Sequence, residues 1–114
     1  MTADIQSVRI VDLVEAGLLP RTAKLHGYHG QLHIEATLKS DGTFMCGSTV
    51  SSSPSVAAGQ AITAKSGQKS PGRNYLSING WLFWQVIGRD GKARTLADLR
   101  RELFEARQRA AGRS

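Results

Sequence analysis

The chain has 114 residues, a net charge of +6 and 40% hydrophobic residues, which fits one soluble domain able to bury a core without metal or disulfide staples. A single cysteine, Cys46, excludes an internal disulfide and a cysteine-based zinc site. No run approaches the ~20 apolar residues of a membrane span, and "MTADIQSVRI" lacks the apolar stretch of a signal peptide, so a cytoplasmic location is expected.

In chain order, residues 1–7 read as a flexible lead-in. "VRIVDLVEAGLLP" reads as a short helix, with Ile10, Leu13 and Val14 at helical spacing. Gly17 and Pro20 mark its end, and Leu18 and Leu19 are expected to tuck under the domain. Leu25 and its neighbours make a strand, with Gly27 to Gly30 as a bend. "QLHIEATL" alternates, with Leu32, Ile34, Ala36 and Leu38 on one face and His33, Glu35 and Thr37 on the other. Asp41-Gly42 is a hairpin signal leading into the strand "TFMCGSTV".

Ser53 then caps a helix with Pro54 at its first position. Val56, Ala57, Ala61 and Ile62 form its apolar stripe, and its small residues allow close approach to a sheet. "SGQKSPGRN" is a loop of turn formers and cations, and the best candidate for mobility. "WLFWQVIG" reads as a strand from its aromatic and β-branched content, and residues 89–92 as a turn. "TLADLRRELFEARQRA" is a helix opened by a Thr95–Asp98 capping box. It turns Leu96, Leu99 and Leu103 inward, and Arg100, Arg101, Arg107 and Arg109 outward. Residues 110–114 are a flexible tail. "IVDLVEAG" and "LADLRREL" echo each other, so the first and last helices are expected to pack side by side. The fold class is α+β: a small antiparallel sheet flanked by about three helices, in one domain over residues 8–109.

Charge and aromatics carry the functional reading. From Gly42 to Arg89 there is no Asp or Glu, while Lys65, Lys69, Arg73 and Arg89 lie in that span. Such a surface does not repel a polyanion, and its cations release counterions from phosphates. Of two Trp, two Tyr and three Phe in the chain, Trp81, Phe83 and Trp84 fall together. On a strand, Trp81 and Phe83 would share one face, and Leu82, Trp84 and Val86 the other. Trp84 belongs to the core; Trp81 is either core or the wall of a groove on which a base stacks.

Ser52, Ser53 and Ser55 stand at a helix N-terminus, where backbone N–H groups and hydroxyls suit a phosphate, although capping alone accounts for Ser53. Lys65, Lys69 and Arg73 are candidate phosphate or base-edge contacts. Asn79, or Asn74, is a candidate for an adenine edge, and turn chemistry also explains Asn79. His29 and His33 would share a face of extended chain. With no supporting Cys or carboxylate spacing, the three histidines read as surface strand residues and no metal or cofactor is expected. Cys46 reads as a small hydrophobe, and no acid–base pair or nucleophile emerges.

The order "VRIVDLVEAGLLP", "SSSPSVAAGQAIT", "INGWLFWQV" and "DGKARTLADLR" over residues 8–103 resembles the restriction enzyme and adenine methylase associated (RAMA) domain. The resemblance implies a non-catalytic reader of double-stranded DNA, including modified DNA such as N6-methyladenine. The family is otherwise fused to restriction enzymes and methylases, whereas this chain reads as a lone domain. The link Lys65 to Ser77 is longer than is usual in the family, so its contacts are not carried over. The alternative is an interaction domain that docks a methylase or nuclease through Arg100, Arg101 and Arg107.

Overall fold

The computed structural model describes residues 5–47, 49–88 and 90–112. Ser48, Arg89, most of the flexible lead-in (1–4) and the end of the tail (113–114), read above as part of a strand, a turn and two loose ends, lie outside them.

After a 3-10 turn at Ile5–Ser7, helix α1 spans Ile10–Glu15. The Arg9 backbone N–H donates to Asp12 Oδ2 at 2.7 Å, closing its first turn. Gly17, with φ of +80°, ends the segment, and Leu19 is buried below it. Strands β1 (Thr22–His29) and β2 (Leu32–Lys39) form the longest hairpin, in register from Thr22–Lys39 to His29–Leu32. Of the bend expected over Gly27 to Gly30, only the Gly30 end holds: β1 runs straight through Gly27, and the turn lies at Gly30 and Gln31. A Cβ on Gly27 would sit 1.9 Å from Phe83 Cε2, so this glycine is a notch for an aromatic ring.

At Asp41-Gly42 the expected tight turn is present. Gly42 has φ of +87°, and Asp41 Oδ1 accepts from the Thr43 N–H at 3.0 Å. The expected single strand after it divides into β3 (Phe44–Cys46) and β4 (Thr49–Ser51), which pair with each other. The division falls at Gly47, whose φ is +61°.

Helix α2 (Pro54–Ser66) begins as expected, with Ser53 Oγ accepting from the Val56 N–H at 3.3 Å. It buries Ala57, Ala58, Ala61 and Ile62. The segment read as one aromatic strand is instead a single-turn helix α3 (Gly80–Phe83) followed by β5 (Gln85–Ile87). Asn79 Oδ1 accepts from the Trp81 N–H, and the Trp84 N–H donates to Gly80 O. Helical geometry overturns the two-face assignment: Phe83 (9% exposed) and Trp84 (0%) are both core, while Leu82 is 61% exposed.

A tight turn leads to β6 (Ala93–Thr95), a strand too short to leave a periodic signal. Helix α4 (Leu96–Ala111) follows. Its capping box is formed: Asp98 N–H donates to Thr95 Oγ1 and Thr95 N–H to Asp98 Oδ2, both at 3.1 Å.

Among the described residues, six strands make one antiparallel sheet in the order β4-β3-β2-β1-β5-β6, with four α-helices where about three were expected. The core joins Leu25, Ile34, Leu38, Phe44, Ile62, Trp84 and Leu96, all fully buried or nearly so. Helices α1 and α4 pack together as the sequence echo implied, and Arg107 Nη2 reaches Asp12 Oδ1 at 3.8 Å. No helix among the described residues is long and apolar enough to cross a membrane.

Candidate functional site

Residues 66–74 were expected to form a loop, and apart from Ser66, the last residue of α2, they lie in a segment without helix or strand. In the structure residues 67–79 run back along α2 as a strap. Three α2 residues spaced by four, hence on one stripe of the helix, receive it. Thr63 Oγ1 donates to Gln68 O at 2.7 Å and accepts from the Leu76 N–H at 2.6 Å. Gly59 lies so close that an added Cβ would stand 1.9 Å from Leu76 O. Ser55 Oγ accepts from the Gly80 N–H at 2.9 Å. Leu76 and Ile78 pack against the core.

At its end the strap delivers α3 onto the start of α2. Trp84 Nε1 donates to Pro54 O at 3.0 Å. A Cβ on Gly80 would be 2.1 Å from the Pro54 carbonyl carbon, so only glycine permits this approach. Trp81 follows, half-buried, with the Arg100 guanidinium carbon 4.0 Å from its ring centroid. That distance is well inside the cation–π range. Arg100 Nε also donates to Val8 O at 3.0 Å. Arg100 therefore does not face freely outward as expected; it covers one face of the indole. A groove of about 320 Å³ opens here, lined among others by Arg9, Asp41, Ser52, Pro54, Trp81 and Arg100.

The expected site residues divide between the two ends of α2. Ser52, Ser53, Ser55, Asn79 and Trp81 gather at its start. Ser53, Ser55 and Asn79 spend side-chain acceptors on backbone N–H groups, while exposed Ser52 lines the groove. Lys65, Lys69 and Arg73 belong to the other end. Lys65 is twelve residues from Ser53, roughly 18 Å along the helix at 1.5 Å per residue. Its Nζ donates to His33 O at 3.0 Å. Arg73 lies 5.9 Å above the Tyr75 ring, and Lys69 is exposed. Lys65, Lys69 and Arg73 thus lie away from the serine-rich helix start, and the strap, free of carboxylates, connects the two ends.

Arg9 and Arg100 had not been singled out for this groove. They sit 72 and 19 residues from Trp81, and a one-dimensional reading has no signal for that meeting. Of the other α4 arginines, Arg101 pairs with Asp98 at 3.2 Å and Arg107 with Asp12 at 3.8 Å, while Arg109 is exposed as expected. His29 and His33 do not share a face; His29 turns toward Gln68 Oε1 at 3.3 Å, and His33 meets His26. Cys46 donates to Glu35 O at 3.3 Å, and burial pushes its thiol pKa up, so it stays a protonated thiol at neutral pH.

A family model described as Restriction Enzyme Adenine Methylase Associated matches residues 2–109. No curated protein matches the chain.

Proposed function

Starting from the chain's membership of the Restriction Enzyme Adenine Methylase Associated family, RAMA, we propose that it is a non-catalytic DNA-binding module of restriction–modification systems, working at the nucleoid. The observation that carries the reading is the strap. It is a carboxylate-free ribbon laid along α2 that links Lys65, Lys69 and Arg73 to the Trp81–Arg100 groove. The roughly 18 Å along α2 between Lys65 and Ser53 corresponds to about five phosphate steps of a duplex strand, at 3.4 Å each. Cations at one end hold phosphates while the groove at the other meets the next stretch of the same duplex.

Arg100 has the planar donor geometry that reads guanine edges or phosphate, and the indole beneath fixes its orientation. A flipped or exposed base, N6-methyladenine included, would stack on this layered pair, since methylation adds apolar area that an aromatic wall favours. Asn79 and Ser53 act through architecture, by starting the two helices that form the groove.

The test is fluorescence anisotropy with labelled duplexes, with and without N6-methyladenine. With about four phosphate contacts the log–log salt slope is expected near -3.6, from roughly -0.9 per contact. Trp81→Ala and Arg100→Ala are each expected to weaken binding by about five- to 150-fold, the range for ~1–3 kcal/mol of stacking. A flat salt response would contradict DNA binding. Equal affinity for the two duplexes would remove only the preference for a modified base.

The alternative, docking to a methylase or nuclease through α4, draws on one observation: residues 105–112 are exposed all around the helix. Charge reversal at Arg101, which pairs only within α4 with Asp98, would abolish co-purification with such a partner and leave the gel shift intact. Reversal at Lys69 and Arg73 would do the opposite.

A further inference from the structure

The outer face of the β1–β2 hairpin carries a separate cluster of reactive side chains. His26 and Glu35 are directly paired across the hairpin, and His33 stands two residues before Glu35 on the same strand. Strand alternation therefore puts all three on one face. His26 Nδ1 is 3.1 Å from His33 Nε2 and 3.8 Å from Glu35 Oε1. One donor atom from each of the three residues lies within 4.8 Å of the other two.

The cluster is braced from several sides. The Tyr28 and His33 rings stack with centroids 4.8 Å apart. Lys65 holds the His33 carbonyl. Lys24, 3.2 Å from Glu35 Oε2, keeps that carboxyl below the usual carboxylate range; Glu35 is thus ionised at neutral pH.

We propose that His26, His33 and Glu35 bind one divalent transition-metal ion of the zinc class, with water completing the shell. Two nitrogens at about 2.0–2.1 Å from a tetrahedral zinc stand roughly 3.3–3.4 Å apart, close to the 3.1 Å seen between the rings. The ring centroids are 5.3 Å apart with 10° between the planes, so the imidazoles meet edge to edge and share one hydrogen. Turning each ring by about 35° opens this straight line to the tetrahedral angle. The shared hydrogen moves to the far nitrogen of its own ring, a change of tautomer that releases no net proton. Imidazole donors select zinc-class ions; magnesium and calcium prefer all-oxygen shells.

The decisive experiment is calorimetric titration of tag-free, chelator-stripped full-length protein with zinc chloride. Cobalt(II) absorption is the second readout and magnesium chloride the control. One ion per chain is expected, with no response to magnesium. His26→Ala and His33→Ala should each weaken zinc binding by at least about ten-fold, the lower range for losing even an outer-shell partner. His29→Ala should leave it unchanged. His33 is exposed, so His33→Ala remains informative even if the His26 variant fails to fold. Absence of zinc binding, or zinc affinity that survives His33→Ala, overturns the proposal.

Discussion

Gly59→Ala isolates the strap from everything else in the domain. By helix propensity alone the change stabilises α2 by about 1 kcal/mol. Here the new Cβ would stand 1.9 Å from Leu76 O, and ordinary contact begins at 3.4 Å. The strap must therefore retreat by about 1.5 Å, the difference between those two distances. A shift of that size takes the Leu76–Thr63 hydrogen bond, 2.6 Å at present, out of range, a loss of ~0.5–1.5 kcal/mol. It also uncovers part of Leu76 and Ile78, which pack against the core, at roughly 1–2 kcal/mol together. Net destabilisation is then about 1–2 kcal/mol, a fall in Tm of roughly 4–8 °C for a domain of this size. Urea and thermal melts followed by circular dichroism measure it, with Ala64→Gly on the exposed side of α2 as a control that loses only propensity. Because the strap carries the proposed DNA surface, anisotropy on the same folded variant should show weaker binding. A Gly59→Ala protein that gains the full propensity increment and binds DNA unchanged would refute the strap as a docked functional element.

Three other outcomes are expected. Trp84→Phe removes the indole donor to Pro54 O and some buried volume, and should cost about 2–4 kcal/mol in urea melts; a loss under 1 kcal/mol would mean that the carbonyl finds another partner. Lys24→Met should raise the Glu35 pKa toward its ordinary value in an NMR titration, since Lys24 is the main cause of its depression. A depressed carboxylate stabilises the fold above its unfolded pKa and loses that effect as pH falls through the folded value, so the variant should also lose stability less steeply on the acid side. Cys46, with its thiol pKa raised by burial, should react with iodoacetamide at neutral pH more slowly than in urea-unfolded protein; equal rates would contradict its burial.

The sequence was most legible where a few neighbouring residues determine the backbone. Ser53-Pro54 starts a helix, Thr95 and Asp98 cap one another, and Asp41-Gly42 turns the chain, each through contacts within four positions. Asn79-Gly80 is the instructive failure. The dipeptide signals a turn, and the aromatic run after it has the composition of a strand. What makes it a helical turn is remote: Gly80 against Pro54, Trp84 against the Pro54 carbonyl, and Phe83 in the notch at Gly27. A four-residue helix has no propensity large enough to compete with such packing. Gly27 and Gly59 were opaque for the same reason, since a glycine chosen for lack of volume reads like one chosen for its turn.

The histidine cluster and the groove share that logic in function. His26 and His33 are seven positions apart, a spacing that matches no metal motif, and only the hairpin register brings their nitrogens together. Likewise Trp81 and Arg100 meet because α3 is held against α2 by Ser55 and Pro54, while α4 is anchored to the N-terminal segment through Val8 and Asp12. Apart from Arg100, whose Nε holds Val8 O, the groove thus depends on two joints built from residues outside its proposed contacts. Loosening either joint, through Ser55→Ala or Asp12→Ala, should weaken DNA binding through geometry while leaving the salt slope near its original value, because the number of phosphate contacts at the basic end is unchanged. A variant at Lys69 or Arg73 should do the reverse, flattening the slope by about 0.9 per cation removed. If both kinds of variant changed affinity and slope in the same proportion, the division of labour between the two ends of α2 would be wrong.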